Sequence, residues 1–248
     1  MKNNILMITA FLLVIGCSKD IKEDLRKPIK AGALSYTVRL TNDPNDLIYT
    51  QDYKFDGEGK VISEKYTDYK NPQYNHSSNF KYDSNGRVIE EIRNNEIFRK
   101  IIWRNDIAKV YDSQDELISE FQFSNSRLIN YKLYQNNNPV QIKKLNYGAN
   151  GNIISVEDEN GIYAEYLNYD TSTINPLSLI NSISILRIDY KPHFKHVFRT
   201  EKVHPYEGDD FSMPESFYEY EWTLNPGGLI AAMKDEKALI YTCVFEYN

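Results

Sequence analysis

Along most of the chain, aromatic and branched apolar residues alternate with polar ones, and short polar turns break the alternation at intervals. A period of two places the apolar set on one face of a strand. One unit recurs: an aromatic residue, a turn usually closed by Gly, then a Val/Leu/Ile-Ile pair. The clearest copies are YKFDGEGKVISE from Tyr53, FKYDSNGRVIEE from Phe80 and LNYGANGNIISV from Leu145. Weaker copies are KVYDSQDELISE from Lys109, with Asp115 in the Gly position, FQFSNSRLINYK from Phe121, and EYEWTLNPGGLIAA from Glu219. Each copy predicts a hairpin. In the second, Ser84-Asn85 suits a type I turn and Gly86 supplies the positive φ that closes it. The pair Val88-Ile89 puts apolar groups on both faces of the return strand, which predicts a sheet covered on both sides over part of its area. The pairs begin at Val61, Val88, Leu117, Leu128, Ile153 and Leu229, at unequal spacings that argue against a strict solenoid. The expected fold is mainly β: one domain over residues 36–248, an antiparallel meander of successive hairpins forming a curved sheet or a partly open barrel or sandwich.

One segment breaks the pattern. In NPLSLINSISIL, Asn175 can cap a helix, Pro176 suits its first position, and Leu179, Ile180, Ile183 and Leu186 fall at helical spacing. A short helix is expected near 176–186, plugging one end of the sheet. The β-branched content leaves a strand as the alternative, because Ile183, Ile185 and Ile188 also partly alternate.

The N-terminus has a separate logic. Lys2 precedes an apolar run from Ile5 to Ile15, followed by Gly16 and Cys17. As a helix, eleven residues rise only about 16 Å, too short to span a bilayer, so residues 1–16 read as a removable signal peptide. The ending Val14-Ile15-Gly16-Cys17 resembles the lipobox of bacterial lipoproteins. That resemblance implies lipidation of Cys17, a tether over residues 17–35, and a membrane partner held through the acyl chains. The implied address is the cell envelope, as an outer-membrane lipoprotein. Ser18-Lys19-Asp20 is similar to the surface-export signal of Bacteroidota lipoproteins, which implies surface exposure. With Cys17 acylated, Cys243 has no disulfide partner. It sits in LIYTCVFEY, where Leu239, Tyr241, Cys243, Phe245 and Tyr247 share one strand face, and it reads as a small core residue.

The pairs Phe55-Asp56, Tyr82-Asp83, Tyr111-Asp112 and Tyr169-Asp170 give the turns a further signature. They resemble the YD repeats of Rhs-related bacterial surface proteins. The combination of lipobox, a few hairpins, an Asn-Pro segment and a final aromatic hairpin is more similar still to the YD-like cell-envelope lipoproteins of Bacteroidota. The copies are too few to wrap a cargo-holding cage.

Composition narrows the functions. Lys plus Arg number 29 against 35 Asp plus Glu, a net charge of −6 without a basic block, so nucleic acid is not an expected partner. His193, His196 and His204, with Asp209-Asp210, are the one cluster of metal-ligand types, but they lack a helical HExxH arrangement, and no metal is expected. Glu90-Glu91, Glu157-Asp158-Glu159 and Asp209-Asp210 read as solvated loop and edge charges. No GxSxG, P-loop or dinucleotide fingerprint is present, so neither catalytic residues nor cofactors are assigned and the chain does not read as an enzyme. Tyr163, Tyr166, Tyr206, Tyr218, Tyr220 and Trp222 could contribute to an aromatic surface. The primary expectation is a non-catalytic binding module for glycan or protein, its binding residues unassigned. The alternatives are a structural or assembly subunit of an envelope complex, which requires an apolar patch, and a carboxylate-dependent hydrolase, which requires two facing acids.

Overall fold

The structure, a computed structural model, describes residues 32–40, 42–43, 45–187, 193–204, 216–235 and 241–247. Cys17, residues 1–16, most of the tether, Tyr206 and Asp209-Asp210 lie outside them. The strands are β1 (Ala33–Leu40), β2 (Leu47–Phe55), β3 (Val61–Asp68), β4 (His76–Tyr82), β5 (Val88–Arg93), β6 (Glu96–Arg104), β7 (Ile107–Asp112), β8 (Leu117–Ser124), β9 (Arg127–Gln135), β10 (Asn138–Tyr147), β11 (Ile153–Asp158), β12 (Gly161–Ile174), β13 (His196–Val203), β14 (Ser216–Leu224), β15 (Ile230–Asp235) and β16 (Tyr241–Tyr247). Ala33–Ser35, assigned from sequence to the tether, open β1.

These sixteen strands form an antiparallel meander closed into a barrel, not an open sheet or a sandwich. Closure is made by β1, on which Tyr36 faces Gln51 of β2 on one side and Phe245 of β16 on the other. It removes the two free edges that a meander otherwise presents. Consecutive turns alternate between the two ends of the barrel. The β2–β3, β4–β5, β10–β11 and β14–β15 turns share one end with the β12–β13 connection; the β3–β4, β5–β6 and β7–β8 turns occupy the other.

The recurring apolar pair has a different cause from the one its sequence predicts. On β5, Val88 faces Tyr82 while Glu90 faces Lys81, so Ile89 is the extra residue of a β-bulge. Ile62, Ile118, Ile129, Ile154 and Ala231 occupy the same position. The pair therefore marks a bulge, not a sheet covered on both sides; Ile154 is 44% exposed. In the last copy the pair is Ile230-Ala231, one residue later than the spacing of Leu229 suggests. The turn chemistry is as expected: Gly86 has φ +75°, and Asp115 takes the same role at φ +60°. Asp83 accepts from the backbone N–H groups of Asn85 and Arg87, each at 2.9 Å, which explains the acid of the Tyr-Asp pair.

Aromatic tips join adjacent copies. The hydroxyl of Tyr82 donates to the carbonyl of Val61 at 2.6 Å, and that of Tyr147 to Leu128 at 2.7 Å. The Trp103 indole donates to Val88 at 2.9 Å, and the Tyr247 hydroxyl to Ile230 at 3.0 Å. Tyr169 does the same to Ile153. Each acceptor is the residue just before the bulge, where the ladder is irregular. Burial pushes the Tyr82 and Tyr147 hydroxyls up to about 12, so they remain donors at any physiological pH. Tyr147→Phe strands the Leu128 carbonyl and is expected to lower unfolding free energy in urea by about 1–3 kcal/mol.

The wall is charged on its outer face, among exposed apolar side chains such as Ile102, Ile142 and Leu167, and mainly apolar on its inner face. Inward positions include Val61, Val88, Val110, Phe121, Leu128, Leu145, Ile153 and Val156, all buried in one core cluster. Outward positions carry opposite charges in register: Asp52 with Lys65, Glu90 between Lys81 and Lys100, Glu120 between Lys109 and Lys132, Lys144 with Glu157, Glu165 with Lys202, Glu221 with Lys234. Several are direct ion pairs, among them Lys81–Glu90 at 2.9 Å and Lys109–Glu120 at 3.2 Å. A transmembrane barrel has the reverse arrangement, apolar outside and polar within.

The β12–β13 connection fills the interior. It runs as a 3-10 segment, Pro176–Ile183, and one α-turn, Ser184–Arg187, so the helical expectation holds over the strand. Asn175 caps it by accepting from the Leu177 N–H at 3.1 Å. Ile180, Ile183, Ile185 and Leu186 join the core. The abundance of Ser, Asn and Ile weakens α-helix propensity and favours the tighter form.

Candidate functional site

Above the apolar plug lies a buried charged layer. Glu64 and Glu91 point inward from β3 and β5, with Glu91 fully buried. Arg187, the last plug residue, pairs with both: its Nη1 lies 3.2 Å from Glu91 Oε1 and its Nη2 bonds Glu64. Glu91 also accepts from Ser78 at 2.8 Å and from Arg93 at 2.8 Å, with Arg99 Nη1 3.7 Å away. Gln51 donates to Glu64 at 3.1 Å, and Arg99 donates to the Leu186 carbonyl in the last turn of the plug. Burial lowers the Arg187 guanidinium to about 10, still protonated at neutral pH. Both acids are committed to guanidinium and amide donors, which suits fastening the plug rather than proton transfer.

Arg93 connects this layer to the rim. There an open recess of about 380 Å³ is lined by Gln73, Tyr74, Asn75, His76, Arg93, Asn94, Glu96, Ile97, Phe98 and Ser113. It is formed by the 3-10 turn Pro72–Tyr74 with the β5–β6 and β7–β8 turns. Tyr74 is 62% exposed. The Arg93 guanidinium sits 3.8 Å from the Phe98 ring centroid.

The sequence candidates do not converge. His193 lies 2.9 Å from the Ser184 hydroxyl, His196 accompanies Asn152, and His204 Nε2 lies 2.6 Å from Glu165. Of the adjacent acids, Glu90 and Glu157 face outward to lysines. Glu91 and Asp158, expected in solvent, are instead buried and paired, Asp158 with Lys143 at 2.8 Å. Alternation along a strand explains the split. Tyr166 is buried and bonds Glu201, which also accepts from Tyr220 at 2.7 Å; Tyr163 lies 3.6 Å from Lys143, and Trp222 lies 4.3 Å from Arg199. Tyr218 alone of the described set is exposed. The recess residues were missed; their only sequence signal is NPQYN interrupting the hairpin pattern.

His193 carries a pH signature. Burial lowers its imidazole from 6.5 to about 4, so the folded state favours the neutral ring. The unfolded chain then binds the proton more readily, and stability is complete above about pH 6.5 and lost as pH falls toward 4. The ring retains some solvent contact, and the expected loss is about 2–3 kcal/mol, absent in His193→Gln. Urea midpoints from pH 7 to 4 check this.

The described fold is similar to known structures. A porin-like protein from Bacteroides uniformis superposes with a TM-score of 0.58 at 10% identity, covering 89% of this chain and 97% of that one. A porin-like protein from Bacteroides vulgatus gives 0.39 at 8% identity, over 88% and 98%. The Photorhabdus luminescens Tc holotoxin pore gives 0.24 at 16% identity, over 80% of this chain and 10% of that chain. Of these three, the first establishes a shared fold. Comparison with protein families and with curated proteins returned no match.

Proposed function

We propose that this chain is a non-catalytic binding module held at the cell envelope, a water-exposed and plugged barrel rather than a pore. The observation that carries the reading is the wall polarity. A lysine at mid-bilayer costs about 2–4 kcal/mol, falling to about 0–1 toward the interfaces, so Lys65, Lys81, Lys100, Lys109, Lys132 and Lys144 each oppose insertion to a degree set by their depth. The interior, occupied by the plug and the charged layer, supports a solid body in place of a channel. The lipobox-like sequence ending at Cys17 supports attachment by acyl chains, which leaves the barrel itself in water. A closed barrel offers binding groups at its rims, and the rim opposite the plug is where aromatic, amide and guanidinium groups meet. Hydrogen exchange of the full chain with a solubilised envelope fraction tests the reading. Protection is expected in the 68–76, 93–98 and 112–117 segments. Protection confined to the outer wall would instead favour an assembly subunit.

A further inference from the structure

We infer that the rim recess is a binding site for a neutral oligosaccharide, an assignment that rests on the binding-module reading and gives it a ligand class. Tyr74 is positioned from behind. The His76 Nδ1–H donates to the Tyr74 carbonyl at 2.8 Å, and the His76 ring stacks on Tyr66 at 5.3 Å between centroids. Asp68 braces the same loop, accepting from Lys70 and Asn71 N–H while its own N–H bonds the Asn75 side chain at 2.6 Å. The aromatic ring is thus presented to solvent on a fixed backbone, as stacking on the C–H face of a sugar ring requires. Arg93 is held by Glu91 and Ser78 on the other side. The Gln73 and Asn94 amides and the Ser113 hydroxyl form no side-chain hydrogen bond with described residues. They supply both donors and acceptors, the complement of sugar hydroxyls. Among the lining side chains the charges of Arg93 and Glu96 cancel, which favours a neutral ligand. A volume near 380 Å³ falls within the usual range of small-ligand sites. A peptide fits less well, because a closed barrel presents no strand edge for augmentation.

The test is titration of the purified full chain with linear hexasaccharides of glucose, mannose, xylose and N-acetylglucosamine, read by calorimetry and saturation-transfer NMR. At least one is expected to bind, with Tyr74→Ala weakening it by about tenfold or more, Tyr74→Phe retaining most affinity, and the distant Phe217→Ala unchanged. Tyr74 is exposed, so its removal leaves the fold intact, and thermal melting confirms that. Binding by none of the sugars, or binding indifferent to Tyr74→Ala, overturns the assignment. Rim protection by the envelope fraction without sugar binding retires the saccharide alone; absence of protection retires the module reading with it.

Discussion

Glu91→Gln is expected to destabilise the protein by about 3–5 kcal/mol, the largest effect of any isosteric change in the barrel. The carboxylate is fully buried and answers Arg93, Arg187 and Arg99 at once. The amide keeps the volume and some hydrogen bonding but removes the negative charge that offsets three partly buried guanidiniums. Urea unfolding measures the loss. Combining it with Arg187→Met removes one stranded cation, so the double variant should be more stable than additivity predicts by about 1–3 kcal/mol. Strict additivity would show that the charged layer does not act as a unit.

Phe194→Ala is the second large effect, also about 3–5 kcal/mol. Phe194 returns the chain from the plug to β13, and its ring lies 4.6 Å from that of Tyr166 and 4.9 Å from that of Phe198. Truncation opens a cavity where the plug rejoins the wall. Amides of residues 177–187 should then exchange faster than those of β3–β6. Uniform acceleration across the barrel would mean that the plug is not a separable unit.

These effects sit in features that sequence shows unevenly. Turn chemistry is local, so Gly86, Asp115 and the capping Asn175 were legible: a positive φ or an unpaired N–H selects its residue directly. The pair Val88-Ile89 was visible but misread, because a bulge and a two-faced strand leave the same apolar doublet and only the register against Lys81 and Tyr82 separates them. Closure depends on Tyr36 meeting Phe245 across nearly the whole chain, which periodicity cannot encode. Glu91 differs from Glu90 only in facing the interior, so its burial follows from closure and was equally hidden. The recess combines three turns distant in sequence. Tyr74 is conspicuous only as a break in the pattern, whereas Tyr166 and Tyr220, which look like binding residues by type, are consumed by the buried acid Glu201.

Our proposal that the charged wall faces water, with the apolar face turned inward, is open to a direct test. Single cysteines at Lys100, Lys132 and Val110, in a Cys17→Ser/Cys243→Ser background reconstituted with lipid vesicles, can carry nitroxide labels. Collision with an aqueous nickel complex and with oxygen then reports the medium at each site. Labels at positions 100 and 132 are expected to collide with nickel, and the label at 110 with neither reagent. Oxygen-dominated collision at 100 and 132, the mark of hydrocarbon, would contradict the account.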